Sequence, residues 1–191
     1  MATRGRFMIR QAGSMPEWWR RAFEGPSAWP VRIIVAVLAL LGFAVSLRLA
    51  LFQYGVAGAP WEPWFGDGSV RVLDSAFSRA LPVRDAALGA AAYLLEMVLE
   101  LSGGTRRWRR RPWLVLVLGL TAAAMALTAI GLVLVQALVV GTFCTLCLLS
   151  AAISLTVPFL VAEEVVAAWR QIRRAHRYGV PWKVAVRGEG V

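Results

Sequence analysis

Four apolar stretches set the outline of this chain. The first runs from Val31 to Phe52, with only Arg32 and Arg48 inside it. The second runs from Ala86 to Leu101 and holds Glu96 and Glu100. The third, Trp113 to Val140, and the fourth, Thr142 to Ala162, carry no charge at all. Crossing about 30 Å of hydrocarbon takes roughly 20 apolar residues, so each stretch predicts a membrane-spanning helix, the second being the shortest. Only Gly141 separates the third from the fourth, which predicts a tight helical hairpin. The expected fold class is therefore all-α, a bundle of four transmembrane helices.

Composition agrees. Of 191 residues, 59% are apolar and 17% charged, against about 45–50% and 25% in soluble domains. That balance argues against a soluble globular enzyme and against a disordered chain. The formal charge of +10 raises nucleic-acid binding, but the basic residues sort by loop. Arg4, Arg6, Arg10, Arg20 and Arg21 precede the first stretch, and five arginines with no acid fill residues 104–113. Arg170, Arg173, Arg174, Arg177, Lys183 and Arg187 follow the fourth. The 53–85 connection instead sets four acids against three arginines. By the positive-inside rule, both termini and the 104–113 loop face the cytoplasm, while the 53–85 loop and the Gly141 turn face outward. Topology and anionic lipid account for the arginines, and no groove-reading or stacking motif accompanies them, so no nucleic-acid partner is expected. The predicted location is the cytoplasmic (inner) membrane, multi-pass.

All nine tryptophans lie outside the uninterrupted apolar cores, where interface anchors belong. Ala57-Gly58-Ala59 resembles a signal-peptide cleavage site, but the apolar run before it is too long and its leader runs to 30 residues, so a retained span is expected. Residues 1–29 read as a basic cytoplasmic segment with an interfacial helix: Ser14 and Glu17 fit a capping box before Trp18, Trp19 and Phe23. Residues 30–162 form the four-helix domain. Residues 163–191 form a basic tail, in which Val165, Trp169, Ile172 and His176 recur at helical spacing, as in a helix lying on the membrane plane.

The candidate chemistry is Cys144-Thr145-Leu146-Cys147 at the outward start of the fourth stretch. Thr142 is a candidate N-cap. Three-residue spacing sets both sulfurs on one helix face, and a helix start favours thiolate, the reactive form. The outward compartment is oxidising. Dithiol–disulfide cycling, inert packing in an apolar helix and a two-thiolate site for a soft metal such as Cu(I) all fit these residues. The single histidine, His176, falls on the far side of the membrane, and no conventional metal centre is expected. In the outer loop, Gly66-Asp67-Gly68-Ser69 looks like a turn and helix start, and Val70, Leu73 and Phe77 continue it as a short amphipathic half-helix ended by Leu81-Pro82. Tyr93, Glu96 and Glu100 share one face of the second span, and Glu100 is expected to meet the Arg106–Arg111 cluster. Gln136 faces either the outer site or a neighbouring helix, Gly119, Ala123 and Ala126 look like a packing seam, and Pro158 interrupts the fourth helix's hydrogen bonding.

Phe65-Gly-Asp-Gly-Ser-Val-Arg-Val-Leu-Asp-Ser75, then Asp85-Ala-Ala-Leu-Gly89 with Tyr93, then Cys144-x-x-Cys147 opening the last span, resemble the vitamin K epoxide reductase (VKOR) family in its bacterial membrane form. The resemblance covers about residues 30–162. It implies a four-helix bundle that holds a quinone of ubiquinone or menaquinone type near the outer face, with Cys144 and Cys147 passing it two electrons. It places Ser75 on a quinone carbonyl and Asp85 where the family carries a polar hydrogen-bonding residue. Three features depart from the pattern: Ala151 stands where the family often carries a tyrosine, four residues after the CxxC. Trp61 and Ser69 stand where the family carries relay cysteines, and only a basic tail follows the fourth span, with no fused thioredoxin-like domain.

The reading that follows is a membrane thiol–quinone oxidoreductase served by a thioredoxin-fold thiol protein on the outer face. Cys147, deeper in the span, is assigned to the quinone and Cys144 to the partner, with the loop helix leaving the Gly141–Cys144 turn uncovered or moving aside. The alternatives are a non-catalytic quinone- or partner-binding module and a thiolate metal-handling protein.

Overall fold

The computed structural model describes residues 25–79 and 83–189. The capping box at Ser14, the tryptophans beside it and the Leu81-Pro82 stop lie outside these residues. Every regular element among the described residues is helical. α1 (Trp29–Gln53) is followed by two short loop helices, α2 (Gly68–Leu73) and α3 (Ala76–Arg79), and then by α4 (Asp85–Leu101). A single turn, α5 (Arg107–Arg110), leads into α6 (Pro112–Val135), which ends in a π turn over Gln136–Val140. α7 (Thr145–Arg177) and α8 (Trp182–Arg187) complete the chain.

α1, α6 with its π turn, and α7 have 25, 29 and 33 residues and are long and apolar enough to cross a membrane. α4 has 17 residues, about 25 Å at 1.5 Å per residue, just under the hydrocarbon thickness. The four long helices pack together, α1 most extensively on α4 and α6 on α7. Their shared core is Val35, Ala39, Tyr93, Leu118, Ala122, Ile153, Val157 and Val161. Their outer faces are apolar too: Ile33, Leu40, Leu120, Leu127, Leu138 and Phe159 are exposed. A helix apolar on all sides needs an apolar solvent as well as an apolar core.

Close packing depends on small residues. A Cβ on Gly42 would lie 2.5 Å from the Tyr93 ring, so only glycine lets that ring cross α1. The α6 seam differs from expectation. Gly119 does pack on Val165, but Ala123 is exposed, and the buried residues of α6 are Pro112, Leu114, Val115, Leu118, Ala122 and Ala129.

The tail also corrects the sequence reading. Val165, Trp169, Ile172 and His176 do not form a separate helix on the membrane plane; α7 runs unbroken through them to Arg177. Ile172 and Ala175 are buried against Ala185 of α8, and His176 stacks on Trp182 at 4.5 Å. Of the predicted stripe only Ile172 is buried, while Trp169 and His176 stay exposed; the buried face runs through Glu164, Ala168, Ile172 and Ala175.

At this basic end the α4 carbonyls would be left without partners, as at any helix C-terminus. Two arginines take them. Arg32 donates to the carbonyls of Glu100 (2.9 Å), Ser102 (3.0 Å) and Gly103 (3.1 Å). Arg107 donates to those of Leu99 (2.7 Å) and Glu100 (3.0 Å). Arg107 also pairs with the Glu100 carboxylate and with Glu164 at 2.6 and 2.7 Å, and Ser27 donates to Glu164. The expected Glu100–arginine pairing is present. Arg32 from α1 and Glu164 from α7 complete it.

Candidate functional site

At the other end α7 begins at the cysteine pair. Cys144, not Thr142, is the N-cap: its backbone is extended, and its Sγ accepts the Cys147 N–H at 3.2 Å. It stands just outside the span that starts at Thr145, and Cys147 lies in the first turn. Both cysteines are free. A helix start offers unpaired N–H groups and a positive partial charge, and here the sulfur uses them. The Cys144 thiol is drawn down to about 7, first by a hydrogen bond from the Cys147 thiol and against the effect of burial.

Two further side chains fix this cap. Gln136 is buried in the π turn, and its Oε1 accepts the Cys144 N–H at 3.0 Å. The π turn swings that amide inward at the end of α6, a use such turns often serve. From the loop, the Glu62 carboxylate accepts the Thr145 N–H at 2.9 Å and the hydroxyls of Thr145 and Ser69. Partial burial pushes the pKa of this carboxylate up, but the hydrogen bonds outweigh it and hold Glu62 at about 2. Ser69 lies between Glu62 and the Cys144 sulfur and has one proton to give to either.

Glu62 thus latches the loop onto α7. α2 follows the latch and covers the turn. A Cβ on Gly68 would collide with the Phe143 carbonyl, the Phe65 and Phe143 rings meet at 5.6 Å, and Arg71 reaches the Val140 carbonyl at 3.4 Å. Cys144 is consequently 0% exposed. The turn is therefore not left uncovered at Cys144, although Gly141 stays exposed, and of the two cysteines it is Cys147 that retains exposure. The predicted half-helix is interrupted at Asp74–Ser75, which separates α2 from α3.

Beside the cysteines an apolar cluster joins Leu49, Phe52, Leu73, Val72, Ala86 and Leu146 to both sulfurs. A polar chain borders it. Ser75 Oγ accepts the Ser78 N–H at 3.3 Å, Ser78 Oγ donates to Asp85 Oδ1 at 2.6 Å, and Gln53 donates to the same oxygen at 2.7 Å. Ser75 and Asp85 are therefore brought together, through Ser78 and Gln53. The Gln53 Oε1 is buried with no partner. Deeper, the Tyr93 hydroxyl meets the Ser150 carbonyl (2.7 Å), Ser150 Oγ (3.0 Å) and Ser154 Oγ (2.7 Å). Glu62, Gln53 and Ser78 escaped the sequence reading. Glu62 had registered only as one of four loop acids, because nothing local marks a contact made across 83 residues.

The arrangement presents a reduced dithiol, one sulfur capping a helix and one opening on an apolar cluster edged with hydrogen-bonding groups. The family model for the vitamin K epoxide reductase family matches residues 33–162. The chain belongs to that family. VKOR proteins are membrane oxidoreductases with quinone-related redox chemistry, and this member's apolar helices make it a multi-pass membrane protein. No curated protein matches the chain. Among the described residues no group of three or more histidine, cysteine or acidic side chains is gathered as a metal centre.

Proposed function

We propose that this VKOR-family protein is a thiol–quinone oxidoreductase, with Cys144–Cys147 as the redox pair. The observation that carries the reading is the difference between the sulfurs: Cys144 caps a helix beneath a latched loop, and Cys147, at the edge of the apolar cluster that both sulfurs join, retains exposure. All four long helices span the inner membrane, with residues 30–162 as the working domain and the termini and basic end cytoplasmic.

The residues present fit a quinone of ubiquinone or menaquinone type. Leu49, Phe52 and Val72 offer an apolar wall, Ser75 has a hydroxyl proton to donate to a carbonyl, and the unpartnered Gln53 Oε1 can accept from a quinol hydroxyl. Asp85 acts through Gln53 and Ser78, whose hydrogens it fixes. A bound quinone accepts two electrons and two protons. The cysteines supply the electrons by closing their disulfide. A thioredoxin-fold thiol protein on the outer face then reopens it: its thiolate attacks Cys144, Cys147 leaves as thiolate, and the partner's second thiolate resolves the mixed disulfide and restores Cys144. Because Cys144 is buried, the 54–75 loop must lift for this exchange, and Glu62 is the contact that must break.

Trapping tests the assignment. Cys147→Ser should accumulate a mixed disulfide through Cys144 with a thioredoxin-fold protein, and Cys144→Ser should not. Adducts on Cys147 alone would reverse the roles. No adduct from either variant, with the partner supplied in excess as its disulfide so that the remaining cysteine can attack it, would favour a non-catalytic quinone-binding module.

A further inference from the structure

Glu96 is a carboxylic acid inside the bundle that the redox pair does not use. Its side chain is 1% exposed, and neither carboxyl oxygen has a hydrogen-bond partner. An ionisable group held among apolar helices is costly and marks proton or ion traffic more often than packing. Its surroundings support proton traffic. One turn toward the basic end on α4 lies Glu100, in the cluster with Arg32 of α1, Arg107 of α5 and Glu164 of α7; α6 contributes no charge. One turn the other way lies Tyr93, whose hydroxyl joins Ser150 and Ser154. Ser150 is one turn below Cys147 on α7. Groups that exchange protons thus run from the basic end to the cysteine pair.

We propose that Glu96 is a proton-loading site: it takes one proton from the cytoplasmic end for each quinone reduced and passes it along Tyr93, Ser154 and Ser150 toward the Cys147 end. This rests on the thiol–quinone reading above. The balance requires such a proton. When Cys144 reacts as the thiolate that its N-cap hydrogen bond favours and Cys147 as thiol, closing the disulfide releases two electrons and one proton. Reduction to quinol consumes two of each. The missing proton enters through Glu96; when the partner's two thiols reopen the disulfide to one thiolate and one thiol, one of their two protons is left at the outer face, so one positive charge crosses most of the membrane per turnover.

The test uses full-length protein in liposomes with decylubiquinone and a trapped pH dye. An impermeant thiol reductant added outside drives only molecules with the cysteine pair outward. Wild type should reduce quinone and alkalinise the lumen by about one proton per quinone. Glu96→Gln should slow reduction at least tenfold and abolish the alkalinisation, and Glu96→Asp should restore part of both. Infrared spectra of quinone-free protein should show a protonated-carboxyl band that shifts in D₂O and is missing from Glu96→Gln. Wild-type reduction without lumenal alkalinisation, Glu96→Gln at full rate, or an ionised Glu96 carboxylate would each overturn the inference while leaving the thiol–quinone reading intact. Failure of wild type to reduce quinone at all would remove that reading and this one with it.

Discussion

The two ends of the bundle solve their polar problems in opposite ways. At the basic end Arg32, Arg107, Glu100, Glu164 and Ser27 tie α1, α4, α5 and α7 into one buried cluster, in which only Glu100 Oε1 lacks a partner. At the cysteine end the thiols are free, the Gln53 Oε1 and Arg48 Nη1 have no partner, and one carboxylate, Glu62, holds the loop. A cluster so closely paired does not rearrange cheaply. An end with spare hydrogen-bonding capacity, whose loop is held by Glu62 and by exposed arginine-to-carbonyl contacts of Arg48 and Arg71, does. The contrast makes the first a structural anchor and the second the working end.

The largest expected effect breaks the anchor. Arg107→Ala takes the close arginine from Glu100 and Glu164, leaving Arg32 at 3.7 Å and Ser27, and should cost about 3–5 kcal/mol, the usual penalty for breaking a buried ion pair, measured as a loss of folded protein in detergent titration. Glu100→Gln should cost less, because an amide still accepts from arginine. A comparable loss from Glu62→Gln would erase the distinction between the two ends.

Next comes the latch. Glu62→Gln removes a charged acceptor shared by the Thr145 amide and two hydroxyls, a contact of the charge-assisted class worth about 1.5–3 kcal/mol. Cys144 alkylation should rise at least tenfold, with the protein otherwise stable. An unchanged rate would mean that α2 packing alone shields the sulfur.

Both ends were partly legible in the sequence. The three helices long and apolar enough to cross a membrane, the Arg-rich end and the CxxC followed from hydropathy and spacing, because those signals are local. The Glu100–arginine pairing followed from charge position, but which arginine, and the entry of Glu164 on α7, depended on helix packing that periodicity does not encode. The buried state of Cys144 was missed for the same reason: α2 reaches the Phe143 carbonyl only because residue 68 has no Cβ. Placing the tail on the membrane plane failed because an amphipathic helix looks alike whether lipid or α8 covers it.

A pH effect sharpens the latch. Glu62 titrates at about 2 when folded, below an ordinary carboxyl near 4.3. Its contribution is therefore complete above about pH 4.3, weakens as pH falls below that, and is gone below 2. Pepsin cleavage within residues 54–67 should increase as pH drops from 4 to 2, and Glu62→Gln should be cut readily across that window. Cleavage independent of pH in the wild type would contradict the carboxylate's role.

The smallest effect lies between the ends. Tyr93→Phe removes one buried hydroxyl and should cost about 1–3 kcal/mol, since Ser154 and Ser150 lose its partner. Quinone reduction should fall several-fold while Cys144 alkylation stays the same.

The redox state of the cysteine pair in isolated membranes tests the central claim most directly. With quinone present and respiration running, Cys144 and Cys147 should be disulfide-bonded; after quinone depletion they should be recovered as two free thiols, and added quinone should close the bond again. Two free thiols under all three conditions would contradict the account.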